Sequence, residues 1–392
     1  MSRALRVREQ IDAIIQDDVL IADMKILPSN YNFEIPKTIW KIRDTKSTLV
    51  ALQFPEGLLM YSCLIADILS KHTGCETIIM GDVTYGACCV DDYTARSLGC
   101  ELLVHYGHSC LVPIQDTAGI QMLYIFVNID LNLSHFLTVA ELHLKNLGTL
   151  ALVSTIQFVA SLQIIKKQLQ EIGINVIIPQ CNPLSPGEIL GCTSPKLSAE
   201  DVGAVVYLGD GRFHLESVMI QNPHLPAFQY NPYSRKLTKE EYGFELMIKN
   251  RKMAVDLASG KQCFGLIQGT IGRQGNIRIF DDLEEKLIGK NKVYIRILLS
   301  EIFVNKLALF KGIECFAQVA CPRLSIDWGL SFKTPLLTPY ELASALEYTK
   351  FTTNEYPMDF YAYDSRGPWT NNNEKHRPKR APRPHLSVKA SS

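Results

Sequence analysis

The pattern that most constrains the fold is a segment that recurs three times, about a hundred residues apart. Each copy has a short apolar, β-branched run, a turn and a helical stretch: TLVALQFPEGLL from residue 48, GTLALVSTIQFVASLQIIKKQL from residue 148 and CFGLIQGTIGRQGN from residue 263. Further strand-like runs follow each copy. Short strands alternating with helical segments predict parallel βαβ sheets with right-handed crossovers. The sequence therefore predicts an α/β protein built from three small units.

The repeats also set the predicted domain boundaries. We expect an N-terminal helix and irregular arm over 1–45, α/β domains over 46–145, 146–258 and 259–365, and a disordered basic tail over 366–392. The arm should pack on the first domain. The tail is predicted from composition, because Pro, Asn and basic residues dominate it and few apolar residues remain to be buried.

Composition excludes several classes of function. Forty Lys and Arg residues balance forty Asp and Glu residues, so the overall basic character expected of a nucleic-acid-binding protein is missing. No apolar run is long and uncharged enough to predict a membrane span, and the N-terminus does not read as a signal peptide. Eleven cysteines without the dense spacing of a disulfide scaffold predict free or metal-bound thiols in a cytoplasmic protein.

Three cysteines follow strand-like runs, one in each third of the chain. Cys88 lies in TYGACCVDD, Cys192 in SPGEILGCTSP and Cys321 in AQVACPRLSIDWG. Taken singly, each is more often a core residue than a ligand. If the carboxyl ends of the three sheets face one another, however, the three thiols converge. Three thiolates can hold an iron–sulfur cluster and leave one iron open, and they also suit zinc.

Two glycine-containing turns after strands are candidate sites for a polar ligand. Backbone amides in such turns, together with an arginine, receive carboxylate or phosphate groups. The second turn lacks both the GK[ST] of a P-loop and the GxGxxG of a dinucleotide site, which disfavours a nucleotide-binding enzyme without a metal. The candidate residues are Gly209, Asp210, Gly211 and Arg212 in the first turn, and Gln268, Gly269, Thr270, Arg273 and Gly275 in the second.

Eight segments together resemble the first subunit of the eukaryotic diphthamide synthase family. They are NYNFEIPKTIW, LQFPEGLL, GDVTYGACCVDD, HYGHSCLVP, PLSPGEILGCTSP, LGDGRFHLES, GTIGRQGN and CPRLSIDWG. The resemblance runs from about residue 25 to 365. It implies three homologous domains around a pseudo-threefold axis that share one [4Fe–4S] cluster. The implied ligands are Cys88 rather than Cys89, Cys192 and Cys321.

The resemblance also implies the reaction. A catalytic subunit of this family transfers the 3-amino-3-carboxypropyl group of S-adenosylmethionine to the imidazole C2 of a histidine in elongation factor 2. This radical reaction depends on the cluster and is the first step of diphthamide biosynthesis. The nine turn residues are the expected S-adenosylmethionine contacts, and no catalytic side chain is identified. The implied partners are a homologous second subunit, elongation factor 2 and a small CSL zinc-finger electron donor.

Two alternatives use the same three thiols. In the first, the chain is a non-catalytic partner subunit whose cluster is structural or relays electrons. In the second, the thiolates hold zinc, which accepts the same ligands. Metal content and the formation of methylthioadenosine distinguish these possibilities from the catalytic one.

Overall fold

The computed structural model describes residues 3–81, 86–109, 111–112, 114, 117 and 119–376. The helices are α1 Arg3–Ile15, α2 Asp18–Met24, α3 Ile35–Thr45, α4 Ser62–Thr73, α5 Asp92–Ser97, α6 Ser134–His143, α7 Val159–Glu171, α8 Phe213–Gln221, α9 Phe244–Ser259, α10 Ile277–Gly289, α11 Val304–Leu307, α12 Pro322–Trp328 and α13 Pro339–Ala345. The strands are β1 Tyr31–Asn32, β2 Leu49–Gln53, β3 Glu76–Ile79, β4 Leu102–Tyr106, β5 Gln121–Ile125, β6 Asn128–Ile129, β7 Leu150–Ser154, β8 Val176–Ile177, β9 Ala204–Leu208, β10 Ala227–Asn231, β11 Lys236–Glu240, β12 Cys263–Gly269, β13 Val293–Leu299, β14 Cys315–Val319 and β15 Leu336–Leu337.

Three separate sheets share one strand order. The first unit has the order β3-β2-β4-β5, the second β11-β10-β9-β7-β8 and the third β13-β12-β14-β15. In each sheet, the first strand of the unit lies between the second and the third. The first and third sheets are entirely parallel. The α/β class with parallel sheets is therefore confirmed, and the common order is what three copies of one unit would show.

The second sheet carries an edge strand that the sequence reasoning missed. Strand β11 pairs antiparallel with β10 through a short hairpin. Its sequence, KLTKE, has charged side chains and is largely exposed. Charged residues on an edge strand disfavour pairing with other chains. Because the strand is not apolar, its sequence does not match the pattern used to predict strands.

The central strands are mostly apolar because both faces of each sheet are covered, with His105, Ser154 and Gln318 as buried polar residues near their ends. Every residue of β4, β7, β9 and β14 is buried, as is typical of parallel sheets. This packing fixes where each strand ends, and the loops that follow those ends carry the cysteines. None of the helices in the described ranges combines the length and apolar character of a membrane span.

The predicted N-terminal arm is more regular than expected. Residues 35–45 form helix α3, with Pro36 in its first turn. Ile35, Ile39 and Ile42 recur at helical spacing and are buried in the core of the first unit. The prediction of an irregular arm is therefore wrong for these residues, because the apolar face of α3 packs on the sheet.

The predicted disordered tail begins too early. Residues 366–376 are packed against the body of the protein, and Trp369, Thr370 and His376 are buried. The Trp369 ring lies 5.0 Å from that of Tyr340 on α13. One large aromatic side chain thus anchors a segment whose composition is otherwise polar. Residues 377–392 lie outside the described residues.

A buried ion pair joins α9, which falls at the end of the predicted second domain, to α13 of the third unit. Arg251 on α9 donates from Nε to Glu341 Oε1 (2.7 Å) and from Nη2 to Glu341 Oε2 (2.6 Å). Both side chains are almost completely buried. Glu341 also forms a capping box with Thr338 at the start of α13. The pair therefore couples α9, α13 and the end of the third sheet.

Replacing Glu341 with Ala should lower the free energy of unfolding by about 3–5 kcal/mol, because it leaves the Arg251 guanidinium buried without its counter-ion. Chemical denaturation measures the change. Asp256→Ala is the control, since it removes an exposed ion pair with Lys252 from the same helix and should cost less than about 1 kcal/mol. Equal effects of the two substitutions would contradict this account.

Candidate functional site

The third unit contacts the first through the glycine turn that follows β12. Arg273 forms a two-point ion pair with Asp92, from Nε to Oδ1 (2.9 Å) and from Nη2 to Oδ2 (2.5 Å). Its backbone N–H donates to Cys88 O (2.8 Å). Gly272 has a φ of 49°, and a Cβ there would lie 2.7 Å from the Cys89 backbone. Glycine is therefore needed for this turn to approach the Cys88 loop.

The third unit contacts the second through the buried guanidinium of Arg323, which follows Cys321 by two residues. Its Nη1 donates to Phe213 O (2.8 Å) and Gly191 O (3.2 Å), and its Nη2 donates to Glu216 (2.5 Å). Its Nε is paired with Asp327. Because Gly191 directly precedes Cys192, one side chain positions two of the three cysteine loops.

The first unit contacts the second at the ends of β4 and β7. Ser109 donates a hydrogen bond to the buried carboxylate of Glu188, and Gln157 Nε2 donates to Gly107 O (2.5 Å). Burial raises the pKa of the Glu188 carboxyl, although hydrogen bonds from Ser185 oppose the shift. Each pair of units is therefore joined at the carboxyl ends of its strands.

The three predicted cysteine ligands lie together at this junction. The pKa of the Cys88 thiol is raised well above its ordinary value by a hydrogen bond with Cys89, by burial, and by Cys192 and Cys321. Burial, with Cys321 as the next cause, raises the pKa of Cys192 to about 12. These mutual effects require short separations. The three thiols are therefore close enough to interact, and their role as metal ligands stays a prediction.

The neighbouring cysteine, Cys89, is also close to the cluster. It is buried, its sulfur accepts a hydrogen bond from Gln274 Nε2 (3.3 Å), and it helps to raise the pKa of the Cys321 thiol, although burial is the largest cause there. Cys88 interacts with both of the other thiols. The preference for Cys88 over Cys89 stays a prediction.

The donor set suits an iron–sulfur cluster. Within the described ranges, no group of three or more His, Cys, Asp or Glu side chains could hold a single metal ion. A cluster places its thiolate ligands on different irons, whereas the ligands of one zinc ion must meet at a single point. Three partly buried thiols from three different segments, which interact electrostatically and have Cys89 beside them, fit the cluster.

A C-terminal segment that sequence reasoning did not single out covers the thiols. We call residues 355–376 the strap. Its Phe360 and Tyr361 side chains form a buried group with Ala87, against which Cys88 and Cys192 pack. Burial and the nearby Cys88 and Cys192 thiols raise the pKa of Tyr361 well above its ordinary value, which places its hydroxyl close to the site. An aromatic residue in a segment without a recognisable motif gave no signal in the sequence.

A cavity of about 310 Å³ opens beside Cys321. It is lined by residues that include Phe213, Gly269, Gln274, Glu301, Asp327 and Trp328. A larger groove of about 650 Å³ runs along α9, but no cysteine lines it. The smaller cavity is therefore the candidate binding site, because it alone of the two adjoins the thiols.

The second glycine turn lies partly at this cavity. Gly269 lines it, and so does Gln274, which sequence reasoning did not select. Gln268 lies at the end of β12, and Thr270 and Gly275 belong to the turn that follows it. The Arg273 guanidinium, however, pairs with Asp92 and stacks on the Tyr93 ring at 4.2 Å.

The first glycine turn is also partly engaged in other contacts. Gly209, Asp210 and Gly211 form the turn after β9. The half-exposed side chain of Arg212 pairs with Glu216 (3.1 Å) and Glu240 (2.9 Å). Like Arg273, Arg212 could bind a carboxylate only by giving up an ion pair. The ligand-binding roles of both turns stay predictions.

Fold and site together define a three-unit α/β protein with a thiol site at the meeting point of its strand ends. The chain matches the family model described as putative diphthamide synthesis protein over residues 54–357. It is 59% identical, over 100% of its length, to 2-(3-amino-3-carboxypropyl)histidine synthase subunit 1 of Caenorhabditis elegans, of which it covers 99%. It is 54% identical, over 96% of its length, to the human protein of that name, of which it covers 86%.

A solved structure has the same fold. The crystal structure of Dph2 from Pyrococcus horikoshii with a 4Fe-4S cluster superimposes with a TM-score of 0.68 at 23% identity, covering 82% of this chain and 92% of that one. The chain therefore belongs to the diphthamide synthesis family, in the group of 2-(3-amino-3-carboxypropyl)histidine synthase subunit 1 proteins. The predicted family and the enzyme class, an aminocarboxypropyltransferase, are confirmed.

In the metal-free protein, Cys192 should react slowly with iodoacetamide. A pKa of about 12 instead of about 9 lowers the thiolate fraction at pH 8 by about a thousandfold. The greater nucleophilicity of a more basic thiolate recovers part of this loss, so alkylation should be on the order of 30-fold slower than at an ordinary thiol. Its rate should keep rising about tenfold per pH unit through pH 10.

Peptide mass spectrometry measures the rates, with exposed Cys63 as the internal reference. Equal rates at both cysteines would contradict the assignment.

Proposed function

We propose that Cys88, Cys192 and Cys321 hold a [4Fe–4S] cluster. We further propose that the chain is the catalytic subunit that transfers the 3-amino-3-carboxypropyl group of S-adenosylmethionine to a histidine of elongation factor 2. The observation that carries this proposal is the convergence of three thiols from three units, in a family named for this synthesis. The three units would then surround the cluster in a pseudo-threefold arrangement. When bound, the cluster supplies one electron to the sulfonium group of the cosubstrate.

The residues of the chain keep the thiols dry and correctly placed. A hydrogen bond with Cys89, together with burial, raises the pKa of Cys88, and burial raises that of Cys192. Loading the site therefore releases protons and becomes more favourable as pH rises. The guanidinium of Arg323 lowers the pKa of both Cys192 and Cys321. It thereby partly offsets burial and favours the thiolate form that binds iron.

The cavity beside Cys321 is the proposed site for S-adenosylmethionine. Its volume of about 310 Å³ lies at the lower end of the range for small-molecule sites. Phe213 and Trp328 offer aromatic surface for the adenine, and Gln274 offers an amide for the polar end. Glu301 offers a carboxylate to the positively charged sulfonium or amino group. The second subunit and the CSL zinc-finger electron donor remain the proposed partners.

Single substitutions of the three cysteines test the cluster. Cys88→Ala, Cys192→Ala and Cys321→Ala should each reduce iron content, weaken the brown colour of the anaerobic protein and abolish methylthioadenosine formation in the complex with the second subunit. Cys63→Ala should change none of these, because Cys63 is exposed. Cys89→Ala should retain the cluster. A colourless, zinc-loaded protein would favour the zinc alternative, and full activity of all three variants would overturn the proposal.

Glu301→Gln tests the cavity. The substitution removes a negative charge from the wall and should raise the KM for S-adenosylmethionine about tenfold, since hydrogen bonds to charged groups contribute about 1.5–3 kcal/mol. Steady-state kinetics of methylthioadenosine release measure the effect. Glu245→Gln is the matched control in the α9 groove and should leave KM unchanged. If the two variants behave alike, the cavity is not the cosubstrate site.

A further inference from the structure

The strap is attached to the loop that carries Cys192. The backbone N–H of Phe360 donates to Cys192 O (3.3 Å), and that of Tyr361 donates to Thr193 Oγ1 (3.0 Å). Asp359 and Thr193 form an isolated antiparallel bridge. The strap therefore extends the cysteine loop like an added strand, and all but its first three residues lie beyond the region that matches the family model.

Contacts within the strap fix the backbone of Tyr361. Asp359 accepts hydrogen bonds from the N–H of Arg366 (2.9 Å) and from Trp369 Nε1 (3.4 Å). Asn372 Nδ2 donates to the carbonyl oxygen of Tyr361 (2.7 Å). Tyr361 is thus held from both sides, at its N–H and at its C=O, and its ring has a defined position over the thiols.

The strap is also tied to the third unit. Lys375 pairs with the buried Asp282 on α10, and Arg278 donates to the carbonyl oxygen of His376. The strap therefore spans from the cysteine loop of the second unit to a helix of the third. A segment anchored at both ends is suited to hold one side chain in a fixed place.

The Tyr361 side chain completes a set of donors around the thiols. Burial raises the pKa of Cys321, and the backbone N–H groups of Arg323 and Leu324 at the start of α12 oppose that shift. Thr193 Oγ1 lies 3.8 Å from the Cys192 sulfur. Cys88 packs against the buried group that contains Tyr361, although the two residues are 273 positions apart in sequence (361 − 88). The ring is only 8% exposed, so water does not compete freely for the hydroxyl.

We propose that Tyr361 is a positioning residue that donates a hydrogen bond to the Cys88 sulfur of the loaded cluster and raises the reduction potential of that cluster. The inference rests on the proposed function, since it needs the cluster. A donor to a ligating sulfur stabilises the more negative, reduced state, and hydrogen bonds to sulfur are a known determinant of cluster potential. Through Tyr361, the strap would thereby influence the reduction potential of the cluster.

The test is a redox titration of the anaerobically reconstituted protein, followed by EPR. Tyr361→Phe keeps the ring and removes only the hydroxyl, so iron content should stay near that of the wild type while the potential becomes more negative. Tyr356→Phe is the matched control, because it removes another buried hydroxyl of the strap, one that donates to Glu341 Oε1 (2.9 Å). That control should leave the potential unchanged, even if it lowers stability.

A second substitution covers the case in which Tyr361→Phe fails to fold. Replacing Tyr361 with 3-fluorotyrosine by amber suppression keeps the shape and makes the hydroxyl a stronger donor, so the potential should shift in the positive direction. Unchanged potentials in both Tyr361 variants, with a cluster present, would overturn the role of Tyr361 alone. A wild-type protein that takes up no cluster would overturn both this inference and the proposed function.

Discussion

The structure depends on the contact between three sheets at the carboxyl ends of their strands. Two arginines of the third unit join it to the other two units. Arg273 pairs with Asp92 of the first unit, and Arg323 reaches the second through Glu216 and two backbone carbonyls. Because Arg273 also donates to Cys88 O, and Arg323 to the carbonyl before Cys192, the interactions that join the units also position the thiols.

The partly buried thiols are neutral without metal, whereas a cluster would require them as thiolates. Without metal, the buried site favours neutral thiols, as the raised pKa values of Cys88 and Cys192 show. A cluster requires thiolates, whose negative charges would repel one another in such a site. Bound iron would supply the opposing positive charge, and nearby hydrogen-bond donors would stabilise the negative charge that remains on the sulfurs. If the thiols hold the proposed cluster, site loading and the local packing of the three units are coupled, because binding to a site formed by several segments also stabilises their arrangement.

Sequence patterns predicted the architecture well because strands buried on both faces are mostly apolar runs. The three repeats, the cysteines and the family resemblance all follow from such local signals. The patterns failed where long-range packing decides the structure. Helix α3 carried a local signal, isoleucines at helical spacing, that was overlooked, whereas Trp369 anchors a segment that composition alone describes as disordered. Tyr361 lies near Cys88 only because the strap folds back onto the cysteine loops. The ion pairs of Arg212 with Glu240 and of Arg273 with Asp92 depend on partners that are distant in sequence.

The central claim is that three cysteines hold a four-iron cluster with one iron left open for the cosubstrate. Mössbauer spectroscopy of anaerobically reconstituted, ⁵⁷Fe-labelled protein tests it most directly. With one iron lacking a cysteine ligand, the account predicts four irons per chain, and one of the four should change its isomer shift when S-adenosylmethionine is added. Four irons that remain equivalent with and without S-adenosylmethionine, or a chain that takes up zinc in their place, would contradict the account.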